Sequence, residues 1–141
     1  MSAAGPPQGT RPPGGAARSD ARGERSPADR PRLPTTVLAL AAMTCRPGAP
    51  RLNADELAAH LQALAGWRDA GDRIERTFEF HDYHQTMAFV NALAWIAHRE
   101  DHHPDLGVQF GRCVVTFSTH DAGGVTLNDV ICAAKTERVF A

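Results

Sequence analysis

The chain reads as an α+β protein, an antiparallel sheet of about four strands with helices packed on one face. Apolar and polar residues alternate with period two near 73–80, and β-branched and aromatic residues crowd the stretch 108–119. Helical spacing of apolar residues occupies three other stretches, and the order is helix, strand, helix, two strands, helix. Strands grouped as a hairpin, rather than alternating regularly with helices, favour an antiparallel sheet. No repeat at solenoid periods is present.

The first helix is predicted to begin after Asn53, with Glu56 three residues later in a capping-box arrangement. Leu57, Leu61 and Leu64, with Ala58 and Ala65, then fall on one face, and Gly66 ends the run. Trp67 and a polar loop through Gly71 and Asp72 follow. Over residues 73–80, Ile74, Phe78 and Phe80 share one face, which Arg76 interrupts, while Arg73, Glu75, Thr77 and Glu79 share the other.

Asp82 is placed to cap a long helix reaching to about residue 100, with Tyr83, Met87, Val90, Leu93, Ala94 and Ala97 as its apolar stripe. Phe89 and Ile96 widen that stripe to about half the circumference, more than a helix packed on one side needs, so a homo-oligomer, dimer or tetramer, is expected. Beyond Pro104 a hairpin is predicted from Val108 and Phe110, a turn at Gly111-Arg112, and a strand from Cys113 to Thr119. Gly123-Gly124 breaks the chain, and Thr126 with Asp129 three residues on starts a last helix carrying Val130, Ile131, Ala134 and Val139.

Residues 1–50 differ from the rest, holding nine of the ten prolines but no aromatic residue and no histidine. Such composition does not bury enough apolar surface to offset ordering entropy, so residues 1–50 are expected to be a disordered tail and 51–141 the folded domain. Its apolar run, Val37 to Met43, is too short to span a bilayer and lies far from Met1 for a secretory signal, which leaves Met43 as a candidate true start. The tail carries net charge +4 and the remainder −5, adding to the −1 of the whole. A mildly acidic domain with scattered arginines argues against nucleic acid or membrane as partner. Cys45, Cys113 and Cys132 make no CxxC pattern, and reduced, buried or incidental thiols in a cytoplasmic protein are expected.

Chemistry is concentrated in histidine. All seven lie after residue 50, and His98, His102, His103 and His120 crowd together in the sequence. Imidazole both gives and takes protons near neutral pH, as acid/base catalysis requires. Neighbouring histidines do not share a face of a regular helix or strand, but at a helix end before Pro104 both His102 and His103 can reach one cleft. A metal site is the competing reading, because His98 and His102 are spaced i, i+4, with His103 or His120 as a third ligand. No cysteine joins the cluster, and the position directly after His98, where a metalloprotease needs its Glu base, is Arg99. His60, His81 and His84 read as surface or structural residues.

Taken in order, Asp101-His102-His103-Pro104, then Val114-Val115-Thr116-Phe117-Ser118-Thr119-His120, then Gly124-Val125-Thr126 and Asp129, this pattern resembles the pterin-4a-carbinolamine dehydratase family over about residues 53–140. The resemblance implies a metal-free dehydration of 4a-hydroxytetrahydrobiopterin to quinonoid dihydropterin, with the pterin as substrate and no cofactor. It implies His102, His103, His120 and Asp129 as catalytic residues, and Trp67, Pro104, Ser118, Thr119 and Asp121 as the lining of the pterin site. On that reading His103 or His120 donates to the 4a-hydroxyl and His102 accepts or positions the ring proton. Asp129 either orients an imidazole or serves only as the first-turn acid of the last helix. The pattern departs from the family at His98, where an acid is frequent, and at Leu106 and Phe110, where aromatic and tyrosine side chains are common. Animal members also act as dimerisation cofactors of a homeodomain transcription factor, so a non-catalytic binding role is the second reading. A chain rich in arginine with the single lysine Lys135 has a bacterial character, which disfavours that second role.

Overall fold

The structure, a computed structural model, describes residues 35–141. Four helices, α1 (Thr35–Ala41), α2 (Ala54–Ala63), α3 (Tyr83–Glu100) and α4 (Leu127–Phe140), accompany four strands, β1 (Arg68–Asp69), β2 (Ile74–Glu79), β3 (Asp105–Gln109) and β4 (Arg112–Phe117). The strands form one antiparallel sheet in the order β1-β2-β4-β3. The α+β expectation holds.

Register explains which face is buried. Ile74 pairs with Phe117, Arg76 with Val115 and Phe78 with Cys113, so these six side chains share a face. Five of them are buried, whereas Glu75, Thr77, Glu79, Arg112, Val114 and Thr116 on the opposite face are not. Phe78 meets Phe89 of α3 at 4.7 Å and Phe140 of α4 at 5.0 Å between ring centroids, which places both helices over that face.

Local signals set the helix starts where expected. Asn53 and Glu56 close a capping box on α2, and Thr126 and Asp129 close another on α4. Asp82 accepts from the Gln85 N–H at the start of α3. Gly66, at φ 87°, takes the left-handed turn after α2, and any Cβ there would lie 2.9 Å from Arg76 Nε.

Three details differ from expectation. The buried face of α3 is Thr86, Phe89, Leu93 and Ala97, with Tyr83 and Ala94 outside. Thr86 is tolerated at the centre because its single hydroxyl proton is shared between the Asp82 and Phe110 carbonyls, each 2.9 Å away. The hairpin turn falls one residue early, at Phe110-Gly111, since Gln109 pairs with Arg112. Arg68–Asp69, read as loop, adds a short strand by pairing with β2.

The largest correction concerns the tail. Residues 35–50 are not a disordered extension, because α1 lies along α4 and buries Val37, Leu40 and Ala41 in the core. Beyond it, Leu52 N–H donates to Val125 O at 2.8 Å, and the Arg46 backbone exchanges two hydrogen bonds with the Asn128 amide. Seven residues would be a marginal helix alone, so packing stabilises α1. The expectation for residues 1–34 lies outside the described residues.

Arg76, the interruption in the apolar face of β2, is resolved by a buried acid. Its guanidinium pairs with Glu137 of α4, donates to Ala65 O at 3.0 Å, and sits 4.5 Å over the Phe78 ring. Trp67 Nε1 donates to the same Glu137 carboxylate at 2.7 Å. Glu137→Ala leaves a mostly buried guanidinium and indole N–H without their acceptor. It is expected to destabilise the fold by about 3 kcal/mol, read as a lower urea midpoint.

Candidate functional site

The helix end that carries the histidine pair is shaped by Asp101. Its φ of 49° is the one positive value among the described non-glycine residues, and the His102 N–H returns to the Ala97 carbonyl at 3.1 Å. This left-handed cap turns the chain sharply. His102 is thereby directed inward, with only 13% of its side chain exposed, and stacks on Phe117 with ring planes 9° apart. His103, one residue on, is exposed.

Beneath His102 lies Asp129, fully buried in the first turn of α4. Oδ1 meets His102 Nε2 at 2.5 Å. Oδ2 accepts from the Thr119 hydroxyl and from the Thr126 N–H, each at 2.8 Å. Since Thr119 gives its proton to Asp129, the 2.8 Å contact between the Thr119 and Thr126 hydroxyls has Thr126 as donor. Three partners thus converge on the one buried carboxylate. The Asp129 hydrogen bond raises the His102 pKa above its ordinary value, against the opposing effect of burial.

Linkage gives this pair a pH signature. A raised folded-state pKa means that the pair's stabilisation is fully present below the ordinary histidine value and is lost as pH rises through the folded value. The stability gap between wild type and His102→Gln is therefore expected to narrow from about pH 6 upward. Urea unfolding across that range measures it.

His102 and Thr119 border a cleft of about 580 Å³, together with Asp121, Ala122 and Asn128. Its other wall is the segment Cys45 to Arg51. Gly124 lets that wall approach, since a Cβ there would stand 2.5 Å from Arg51 Nε. Nothing in the periodicity of residues 45–51 marked them, because their place depends on contacts with α4.

Of the residues expected at the site, His102, Thr119, Asp121 and, through its hydrogen bond, Asp129 come together. His103 and His120 are exposed and do not line this cleft; His120 opens the short 3-10 turn His120–Ala122 between Thr119 and Asp121. Pro104 is half-buried, and Ser118 donates to Asp72 O at 2.7 Å. Trp67 lies in the core, 5.9 Å from Phe117 between centroids and bonded to Glu137, so the structure places it away from the cleft surface. His98 projects from α3 beside Trp95, and among the described residues no three His, Cys, Asp or Glu side chains gather as a metal-binding group.

Comparison with known proteins gives the family. The family described as Pterin 4 alpha carbinolamine dehydratase matches residues 50–139. This chain belongs to that family. It is 62% identical over 80 residues to a Chromobacterium violaceum protein named provisionally as a pterin-4-alpha-carbinolamine dehydratase, covering 57% of this chain and 74% of the relative. A Stenotrophomonas maltophilia protein with the same provisional name is 61% identical over 88 residues, covering 61% and 76%. The crystal structure of a transcriptional coactivator/pterin dehydratase from Brucella melitensis superposes with a TM-score of 0.62 at 34% identity, covering 64% of this chain and 99% of that one. No helix among the described residues of this dehydratase family member is long and apolar enough to cross a membrane.

Proposed function

We propose that this protein dehydrates 4a-hydroxytetrahydrobiopterin to the quinonoid dihydropterin, recycling the cofactor of aromatic amino-acid hydroxylases. The observation that carries the reading is His102, held at a cleft by a buried Asp129 that itself receives two further donors. Expelling the 4a-hydroxyl as water requires an acid for the leaving oxygen and a base for the proton of the ring nitrogen whose lone pair drives expulsion.

The direction of the His102 shift sorts the roles. An imidazole favoured in its charged form already carries the proton a base would take up, so His102 serves as the cationic partner of the leaving hydroxyl instead of accepting the ring proton. The ring nitrogen not engaged with Asp129 carries the proton it gives. His103 or His120, exposed and next in the chain to the cleft-lining His102 and Asp121, takes the ring proton and returns it through solvent. Thr119 then acts chiefly by holding Asp129.

Direct assay of 4a-hydroxypterin dehydration tests this reading with His103→Ala and His120→Ala. Loss of the base is expected to slow the reaction by about 10²-fold or more in one of them. Full rate in both, and in the double variant, would remove the base assignment.

As part of the same reading, the protein works in the cytoplasm, needs no bound cofactor because the pterin is the substrate, and is a homo-oligomer. Trp95 is 62% and Phe110 69% exposed, large apolar surfaces that a second copy would cover. Light scattering on the eluting protein is expected to give a dimer or tetramer mass, and a monomer mass at micromolar concentration would contradict it.

A further inference from the structure

Cys45 and Cys132 are 87 residues apart in sequence, and their sulfurs lie 3.5 Å apart. Cys132 is buried on α4, three residues beyond Asp129, whereas Cys45 is half-buried and borders the cleft. The third cysteine, Cys113, is buried on β4 and has neither as a partner. We propose that Cys45 and Cys132 form a reversible disulfide that fastens the cleft wall Cys45 to Arg51 to the helix carrying Asp129.

Several features make the pair suited to this. Backbone contacts already hold the partners in place: Cys45 N–H donates to Glu100 Oε2 at 2.9 Å, and the neighbouring Arg46 is bonded twice to Asn128. Closing the sulfur separation to that of a disulfide takes a movement of about 1.5 Å. Cys45 is the attacking group, because it is the sulfur reachable from the cleft. Its thiol is also the more acidic, lowered chiefly by the Cys132 hydrogen bond, while Cys132 is pushed up by that bond and by burial.

The oxidant is a low-molecular-weight disulfide. Cys45 thiolate attacks one of its sulfurs, forming a mixed disulfide and releasing one thiolate. Cys132 sulfur then attacks Cys45 Sγ, its proton passing to the second departing thiolate. Two protein thiols are oxidised and one small disulfide is reduced to two thiols.

The test treats the full-length protein with oxidised glutathione and then titrates thiols under denaturing conditions. Three free thiols in the reduced protein should fall to one, with a peptide map joining Cys45 to Cys132. Cys132→Ser should stop at a single glutathione on Cys45, and Cys45→Ser should take up none, since the remaining sulfurs are buried. Reductant should restore three thiols in the wild type. Three thiols persisting after oxidation, a crosslink through Cys113, or a crosslink only between chains would overturn the proposal. These outcomes do not depend on dehydratase activity, so they stand apart from the function proposed above.

Discussion

Asp129→Asn is expected to lower the dehydration rate by about 10²–10⁴-fold while leaving the chain folded. An amide at this position keeps an acceptor for the Thr119 hydroxyl or the Thr126 N–H but loses the charge that raises the His102 pKa. The pKa of His102 then falls, because burial opposes the cation once the carboxylate is gone. A structural defect alone would reduce the amount of folded enzyme without moving the pH profile of the remainder. Loss of the acid instead shifts the high-pH limb of the rate profile downward in pH. The pH profile of kcat/KM for the folded fraction distinguishes the two, and an unshifted profile would count against His102 as acid.

Removal of residues 1–42 is expected to destabilise the protein by about 4 kcal/mol, from losing the burial of Val37 and Leu40 at about 1.5–3 kcal/mol each. Both are buried against α4, the helix that supplies Asp129. The deletion also takes away the Ala41 carbonyl to which Lys135 Nζ donates at 2.8 Å. A chain begun at Met43 would thus retain the motif and lose part of the support beneath it. Comparing urea midpoints of the full chain and the deletion measures the effect. Equal midpoints would show that α1 contributes nothing to the fold.

The parts legible in the sequence are those specified locally. Asn53 with Glu56, Thr126 with Asp129, and the alternation of Ile74 and Phe78 with polar neighbours each fix an element by contacts within a few residues. Asp129 shows the reach and the edge of such reasoning. As a capping acid it is evident from spacing, and as the partner of His102 it is an alternative to capping. The structure makes it both, with one oxygen for each duty.

What escaped depends on distant partners. The α1 helix is seven residues in Pro- and Gly-rich surroundings, and its apolar side gains meaning only against α4. Arg76 looked like a flaw in β2 until Glu137, 61 residues on, supplied the counter-charge. Trp67 is drawn to the same carboxylate and so into the core. The Cys45–Cys132 approach spans 87 residues and leaves no local pattern.

The central claim is that His102, charged by Asp129, supplies the proton for loss of the 4a-hydroxyl. Single-turnover dehydration of 4a-hydroxytetrahydrobiopterin by His102→Gln tests it most directly, because the amide fits near the imidazole's place but holds no transferable proton. A rate reduced by about 10²-fold or more, with pterin binding retained, is the predicted result. A wild-type rate in that variant would contradict the account.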